Sequence, residues 1–249
     1  MKNTKTKKKL LLTLVITAAI ICTIFLAFVL YASDYYEADD EKIEAFLPKK
    51  TTEVSKNGYT TFGNADSELG FVFYPGGKVE AWAYAPLMRS LAEKGIFCVL
   101  FEMPFNLAVF DINAADGISE EYPLISTWYI GGHSLGGSMA ASFIGNNTDV
   151  FKGLVLLGSY STADLSDTEI RVLSLYGSED GVMNREKYEA NKENLPEDFF
   201  VEAVIEGGSH AYFGMYGEQD GDGEAKISAE EQIVFSAEKI SDFLYENER

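Results

Sequence analysis

Between residues 68 and 205 the chain keeps repeating one arrangement: a short, continuously apolar run, then a stretch with helical spacing, then another apolar run. The runs fall at 68–74, 96–101, 127–131, 153–157, 171–176 and 199–205. Strands apolar on both faces need cover on both faces. Their alternation with amphipathic helices therefore predicts an α/β fold, a mostly parallel sheet with helices on either side. Helix signals sit between the runs. Pro86 stands in a first turn followed by Leu87, Met88, Leu91 and Ala92, with Gly95 as the stop. A helix is expected to start at Ser134 and a polar one to lie near 184–194. The last helix opens with the capping box Ser228-x-x-Glu231 and runs to about Tyr245, with Ile233, Val234, Ala237, Ile240 and Leu244 on one face. Ahead of the first run, Asn57-Gly58 within 51–62 signals a hairpin. In such sheets functional groups collect at the carboxyl ends of the strands.

The amino terminus is of another kind. Lys2, Lys5, Lys7, Lys8 and Lys9 precede an uncharged stretch, and residues 10–32 are almost wholly apolar. As a helix those residues span about 35 Å, enough to cross a hydrocarbon core of about 30 Å. A cleaved secretory signal is the competing reading. Its apolar region would be shorter, and Leu30-Tyr31-Ala32 has Leu where a small residue is wanted. The expected organisation is a cytoplasmic basic tail at 1–9, a transmembrane anchor at 10–32, a stalk at 33–50 with a short helix near 42–46, and one α/β domain at 51–249. The lysines place the N-terminus in the cytoplasm and the domain outside.

Charge narrows the partners. From residue 33 onward there are 15 Lys and Arg against 39 Asp and Glu, a net of −24. Such a surface repels phosphate backbones, so nucleic-acid binding is not expected. Cys22 in the apolar stretch and Cys98 in an apolar run make neither a disulfide framework nor a metal-ligand cluster.

Chemistry concentrates where the third run meets a helix. Gly132-His133-Ser134-Leu135-Gly136 follows Trp128-Tyr129-Ile130 and leads into small residues. A sharp strand-to-helix turn holds a serine hydroxyl up at the end of the sheet, on a helix N-terminus that favours developing negative charge. Of the two histidines, His133 neighbours the serine and diverges from it. His210, in Glu206-Gly-Gly-Ser-His210 after the last run, is the expected general base. An acid is needed to orient it, and Gly177-Ser-Glu179-Asp180-Gly181 follows the 171–176 run. Asp180 is preferred, and Glu179 is its alternative. The oxyanion is expected to be held by the N–H groups of Leu135 and of Gly77 in Pro75-Gly76-Gly77-Lys78, with Lys78 next in line.

With these residues in view, the chain resembles the α/β-hydrolase superfamily, in its small, membrane-anchored bacterial type of the dienelactone-hydrolase-like branch. The resemblance covers roughly 68–245 and rests on FYPGGKVEAWAYAPLMRSLAEKG, FEMPFNLAVFD, GGHSLGG, YGSEDG and GGSHAYFGMYG. It implies a triad of Ser134, Asp180 and His210 and an oxyanion turn at Pro-Gly-Gly, but names no substrate. Pro75 stands where many esterases of the superfamily have His. Only ten residues, 161–170, lie where many relatives insert a lid, so an open, lidless site is expected. The 102–126 segment, with Asn106, Leu107 and Phe110, either walls an acyl pocket or packs in the core. Asp220-Gly-Asp222-Gly-Glu224, followed by Glu231, has partial calcium-loop spacing but Ala225 at the glycine position, and reads as a solvated loop near the site. The expected function is hydrolysis of a small acyl substrate by a serine nucleophile, without a cofactor or metal. Acyl transfer by the same triad and a non-catalytic envelope binding protein are the alternatives; protein partners stay open.

Overall fold

The computed structural model describes residues 2–46, 52–56 and 58–246. Asn57 of the expected hairpin and residues 47–50 of the expected stalk lie outside them. The chain divides into two units, Met1–Tyr35 and Tyr36–Arg249.

The first unit is one helix, α1 (Lys2–Ser33). Its segment Lys8–Ser33 has a mean hydropathy of 2.8 and is long and apolar enough to cross a membrane. Leu12, Ile16, Ile20 and Ile24 are exposed along it. Thr13 and Thr23 donate their hydroxyls to the carbonyls of Lys9 and Ala19 one turn back. Both hydroxyls are thus satisfied inside the helix.

The second unit is an eight-stranded sheet in the order β1-β2-β4-β3-β5-β6-β7-β8. The strands are β1 (Glu53–Lys56), β2 (Tyr59–Phe62), β3 (Leu69–Tyr74), β4 (Phe97–Phe101), β5 (Thr127–His133), β6 (Phe151–Leu157), β7 (Arg171–Gly177) and β8 (Phe200–Ile205). β1 and β2 form the expected hairpin and run antiparallel, while β3 through β8 are parallel. The helices are α2 (Asp40–Phe46), α3 (Ala85–Glu93), α4 (Ile118–Glu121), α5 (Leu135–Ile144), α6 (Arg185–Ala190) and α7 (Ala229–Tyr245).

The two faces follow the strand period of two. Phe71 and Phe73 join Leu87, Met88, Leu91, Ile233, Ala237 and Ile240 of α3 and α7 in one cluster. Val72 and Tyr74, alternating with them, join Ala140, Ala141, Phe143 and Ile144 of α5 in another. Pro86 lies in the first turn of α3. The capping box on α7 is complete, with Ser228 and Glu231 each accepting from the other's backbone N–H.

Residues 36–46 are not the polar stalk that composition suggested. Tyr36 bridges to Val79, its N–H bonds to the Lys78 carbonyl, and the Asp39 N–H bonds to the Met215 carbonyl. Ile43 is fully buried, and its carbonyl accepts from the buried guanidinium of Arg89. The acids made this segment look solvated, yet buried Ile43, with Tyr36, Ala38 and Phe46 packed against the core, and backbone pairing carry it into the domain. Between β6 and β7 the chain crosses from Gly158 to Ile170 without helix or strand, consistent with the lidless reading.

The sheet also fixes where chemistry can gather. The chain leaves β3 toward β4 on one side and returns to β5 on the other. The loops after β3 and β5 therefore leave adjacent strands at the carboxyl edge, the place in such a sheet where functional groups gather.

Candidate active site

Ser134 sits at the junction of β5 and α5 with φ 51° and ψ −121°, a conformation that costs a non-glycine residue about 1–3 kcal/mol. The surroundings hold it there. Its N–H donates to the Leu157 carbonyl at 2.9 Å, and its carbonyl accepts the Ser159 hydroxyl at 2.7 Å. Gly136 meets the loop after β3 so closely that a Cβ would lie 2.2 Å from the carbonyl oxygens of Tyr74 and Pro75. Only glycine fits, so the elbow and the Pro75-Gly76-Gly77 turn are pressed together.

His210 follows β8 and is buried, with 1% of its side chain exposed. Nδ1 lies 2.8 Å from Oδ2 of Asp180, whose side chain is fully buried. The other oxygen of Asp180 accepts the N–H groups of Val182 and Met183 at 3.0 and 2.8 Å. Glu179 turns away to Lys226 at 2.7 Å, and that ammonium holds its carboxyl below the usual range. The structure thus pairs His210 with Asp180 and leaves Glu179 at the surface.

The serine and the histidine border the same turn. Gly158, directly after Leu157, has φ 49°, and a Cβ there would come within 2.9 Å of His210 Nδ1 and 3.2 Å of Asp180 Oδ2. Nε2 of His210 is buried without a hydrogen-bond partner, and no hydrogen bond links the Ser134 hydroxyl to it. Nε2 of His133 and Nε1 of Trp128 are likewise buried without a partner, so what sets His210 apart is its bond to Asp180.

Two backbone donors beside the elbow are open. The N–H groups of Gly77 and Leu135 donate to no described acceptor, whereas Lys78 N–H is spent on the Asn106 carbonyl at 2.7 Å. That separates Gly77 from its alternative Lys78. Lys78, Phe105, Asn106 and Ser134 are the non-glycine residues with positive φ among the described residues, so strained backbone clusters around this turn. Much of the 102–126 segment packs in the core. Met103, Leu107, Ala108, Ala115 and Ile118 are buried, while Phe105, Val109 and Phe110 stay exposed. Leu107 comes within 3.7 Å of where a Cβ on Gly77 would stand.

Sequence reasoning missed four supports. Gly76 N–H donates to the Tyr84 hydroxyl at 3.1 Å, which leaves that hydroxyl's hydrogen for Nδ1 of His133 at 2.7 Å. His133 is buried with its ring centroid 4.4 Å from that of His210. Burial first, and then the neighbouring His210, push its pKa well below the ordinary value, so it stays neutral. Ser159 braces the elbow through its bond to the Ser134 carbonyl. Gln232 of α7, fully buried, grips the backbone of Ser209 on both sides, accepting its N–H and donating to its carbonyl. None of these has a local sequence signal, because each partner is far along the chain. Asp222, the fourth, was visible only as a member of the acidic loop. The loop is solvated as expected, but the half-buried Asp222 carboxylate accepts three backbone N–H groups. Glu231, the other acid in that spacing, is engaged in the α7 cap. No cluster of three metal-binding side chains occurs among the described residues.

Comparison with known proteins places this geometry. A sequence profile described as the alpha/beta hydrolase family matches residues 70–234. Est1E from Butyrivibrio proteoclasticus superposes with a TM-score of 0.56 at 13% identity, over 79% of this chain and 98% of that one. An esterase of Pyrobaculum calidifontis gives 0.58 at 14% identity, over 81% and 87%. MGS-MChE2, an alpha/beta hydrolase from the metagenome of lagoon sediments at Mar Chica, Morocco, gives 0.58 at 16% identity, over 80% and 100%. At these identities the likeness is one of fold. No curated protein matches the sequence.

Proposed function

The chain belongs to the α/β hydrolase family, and from that premise we propose that it is a serine hydrolase acting on a small ester or similar acyl substrate. The observation that carries the reading is the buried Asp180–His210 pair beside a strained serine at the β5–α5 elbow. With Nδ1–H donated to Asp180, His210 keeps the lone pair of Nε2 for the serine proton. Ser134 Oγ attacks the acyl carbonyl, and its proton passes to Nε2. The tetrahedral oxyanion is held by Gly77 and Leu135 N–H, both open in the free protein. Collapse of the intermediate expels the alcohol, which takes the proton from His210. Water, activated by the same nitrogen, then releases the acid and restores the serine. Pre-aimed backbone donors supply the electrostatic part of this chemistry.

The N-terminal helix supports anchoring in a membrane. Its basic flank fits a cytoplasmic N-terminus, which leaves the hydrolase domain outside. The Pyrobaculum calidifontis protein that shares the fold is an esterase by name, which favours carboxylic esters as first substrates. The full chain in detergent should hydrolyse p-nitrophenyl acetate, with an initial burst if deacylation is slow. Ser134→Ala should abolish that turnover. Equal turnover by Ser134→Ala and the wild type would refute the assignment.

A further inference from the structure

Asp222 reaches both of the loops that carry the acid and the base. Its Oδ1 accepts the N–H of Gly181, directly after Asp180, at 3.0 Å. The same oxygen accepts Gly223 N–H at 2.9 Å. Its Oδ2 accepts the N–H of Ala211, directly after His210, at 2.8 Å. One carboxylate thus ties the residue following the acid to the residue following the base.

The backbones are fitted to this contact. A Cβ on Gly181 would lie 2.6 Å from the Gly221 carbonyl oxygen, and one on Gly223 would lie 2.0 Å from that of Glu179. The Asp222 loop therefore lies flat against the acid loop, with no side chain between them. On the base side the grip is shared: Gln232 holds Ser209, before His210, and Asp222 holds Ala211, after it. A cleft of about 480 Å³, lined by Ala211, Tyr212, Glu218, Asp222 and Glu224 among others, borders the clamp. On the side of that cleft the hydrogen bonds of Asp222 join the two loops directly.

We propose that Asp222 is a positioning residue that sets the distance and angle between Asp180 and His210 by clamping their two loops together. It touches no reacting atom. Its effect reaches the chemistry through the Asp180–His210 bond, so the proposal rests on the triad reading given above. Charge-assisted acceptance from three N–H groups makes an ionised carboxylate the fitting side chain. An amide in its place would set an NH₂ group against one of the donating backbone N–H groups.

The test uses the full chain in detergent, carrying Asp222→Asn or Asp222→Ala, with p-nitrophenyl acetate as substrate. Misplacing a catalytic group by about 1 Å costs on the order of 10²-fold. Asp222→Ala should lower kcat by roughly that factor with KM nearly unchanged, and Asp222→Asn should fall in between. The downfield proton resonance of His210 Nδ1–H should weaken or vanish in step with kcat, which a merely stabilising residue would not cause. A folded Asp222→Ala protein with wild-type kcat and an unaltered resonance overturns the proposal. If the Ala variant does not fold, the near-isosteric Asn variant decides by the same two readings. Failure of the underlying reading looks different: the wild type itself would then show no Ser134-dependent turnover, while the His210 resonance would still report on the clamp.

Discussion

Glu179 and Asp180 are adjacent carboxylates with different surroundings. The first is half-buried and paired with the exposed Lys226, and the second is buried against His210. An orienting carboxylate in a triad is worth about 10⁴-fold in kcat. Asp180→Asn should therefore lose about 10³–10⁴-fold in kcat for p-nitrophenyl acetate, while Glu179→Gln stays within about twofold, its ion pair being of the exposed kind. His133 carries a pH signature of its own. Burial holds it neutral when folded, but on unfolding it returns to an ordinary value near 6.5. Below that pH the unfolded chain binds a proton the native state does not, so this stability is present above about pH 6.5 and lost as pH falls. Urea midpoints should decline from about pH 7 to about pH 5, and His133→Gln should flatten that decline although it lowers the midpoint at neutral pH. An unchanged slope would remove His133 as a cause. Ser134, Asp180 and His210 were legible because each follows a readable strand and the chain has two histidines. Tyr84, Ser159 and Gln232 were not, because hydrogen bonds between distant residues leave no periodicity to read.

At the scale of elements, the turn between β5 and α5 stores strain at one residue. Ser134→Gly removes the Cβ that makes φ 51° unfavourable. The variant should be inactive yet at least as stable as the wild type, since relief of about 1–3 kcal/mol of strain outweighs the greater freedom of glycine when unfolded. A clear drop in its thermal midpoint would show that the elbow is not strained. The strands were readable because all six runs are apolar on both faces or bounded by turn residues. Their observed ends differ from the expected ones by one or two residues, as β5 continues through Gly132 to His133 and β6 starts at Phe151. The 102–126 segment could not be read in this way. It is built of short turns and one helical turn, fixed by tertiary bonds such as that from the Tyr74 hydroxyl to the Ile112 carbonyl. The stretch before β1 misled for a related reason, since its fit against Val79 and Met215 depends on chain more than thirty residues away.

For the whole molecule, composition spoke most clearly about surroundings. The excess of acid from residue 33 onward repels anionic polymers and anionic headgroups, whereas Lys8–Ser33 is long and apolar enough to cross a membrane. The α/β class followed from the order of strands and helices alone. The sheet order, with β3 between β4 and β5, is a property of the complete chain that no local pattern records. That order sets side by side the groups of the proposed chemistry: a serine, its base and two backbone donors at the carboxyl edge of one sheet. The most direct measurement is labelling of the full-length protein with a fluorophosphonate, followed by mass mapping of the modified peptide. A single adduct on Ser134 is expected, absent from Ser134→Ala and strongly slowed in His210→Ala. A folded wild-type protein that takes no label, or one whose label persists in Ser134→Ala, would contradict the activated serine.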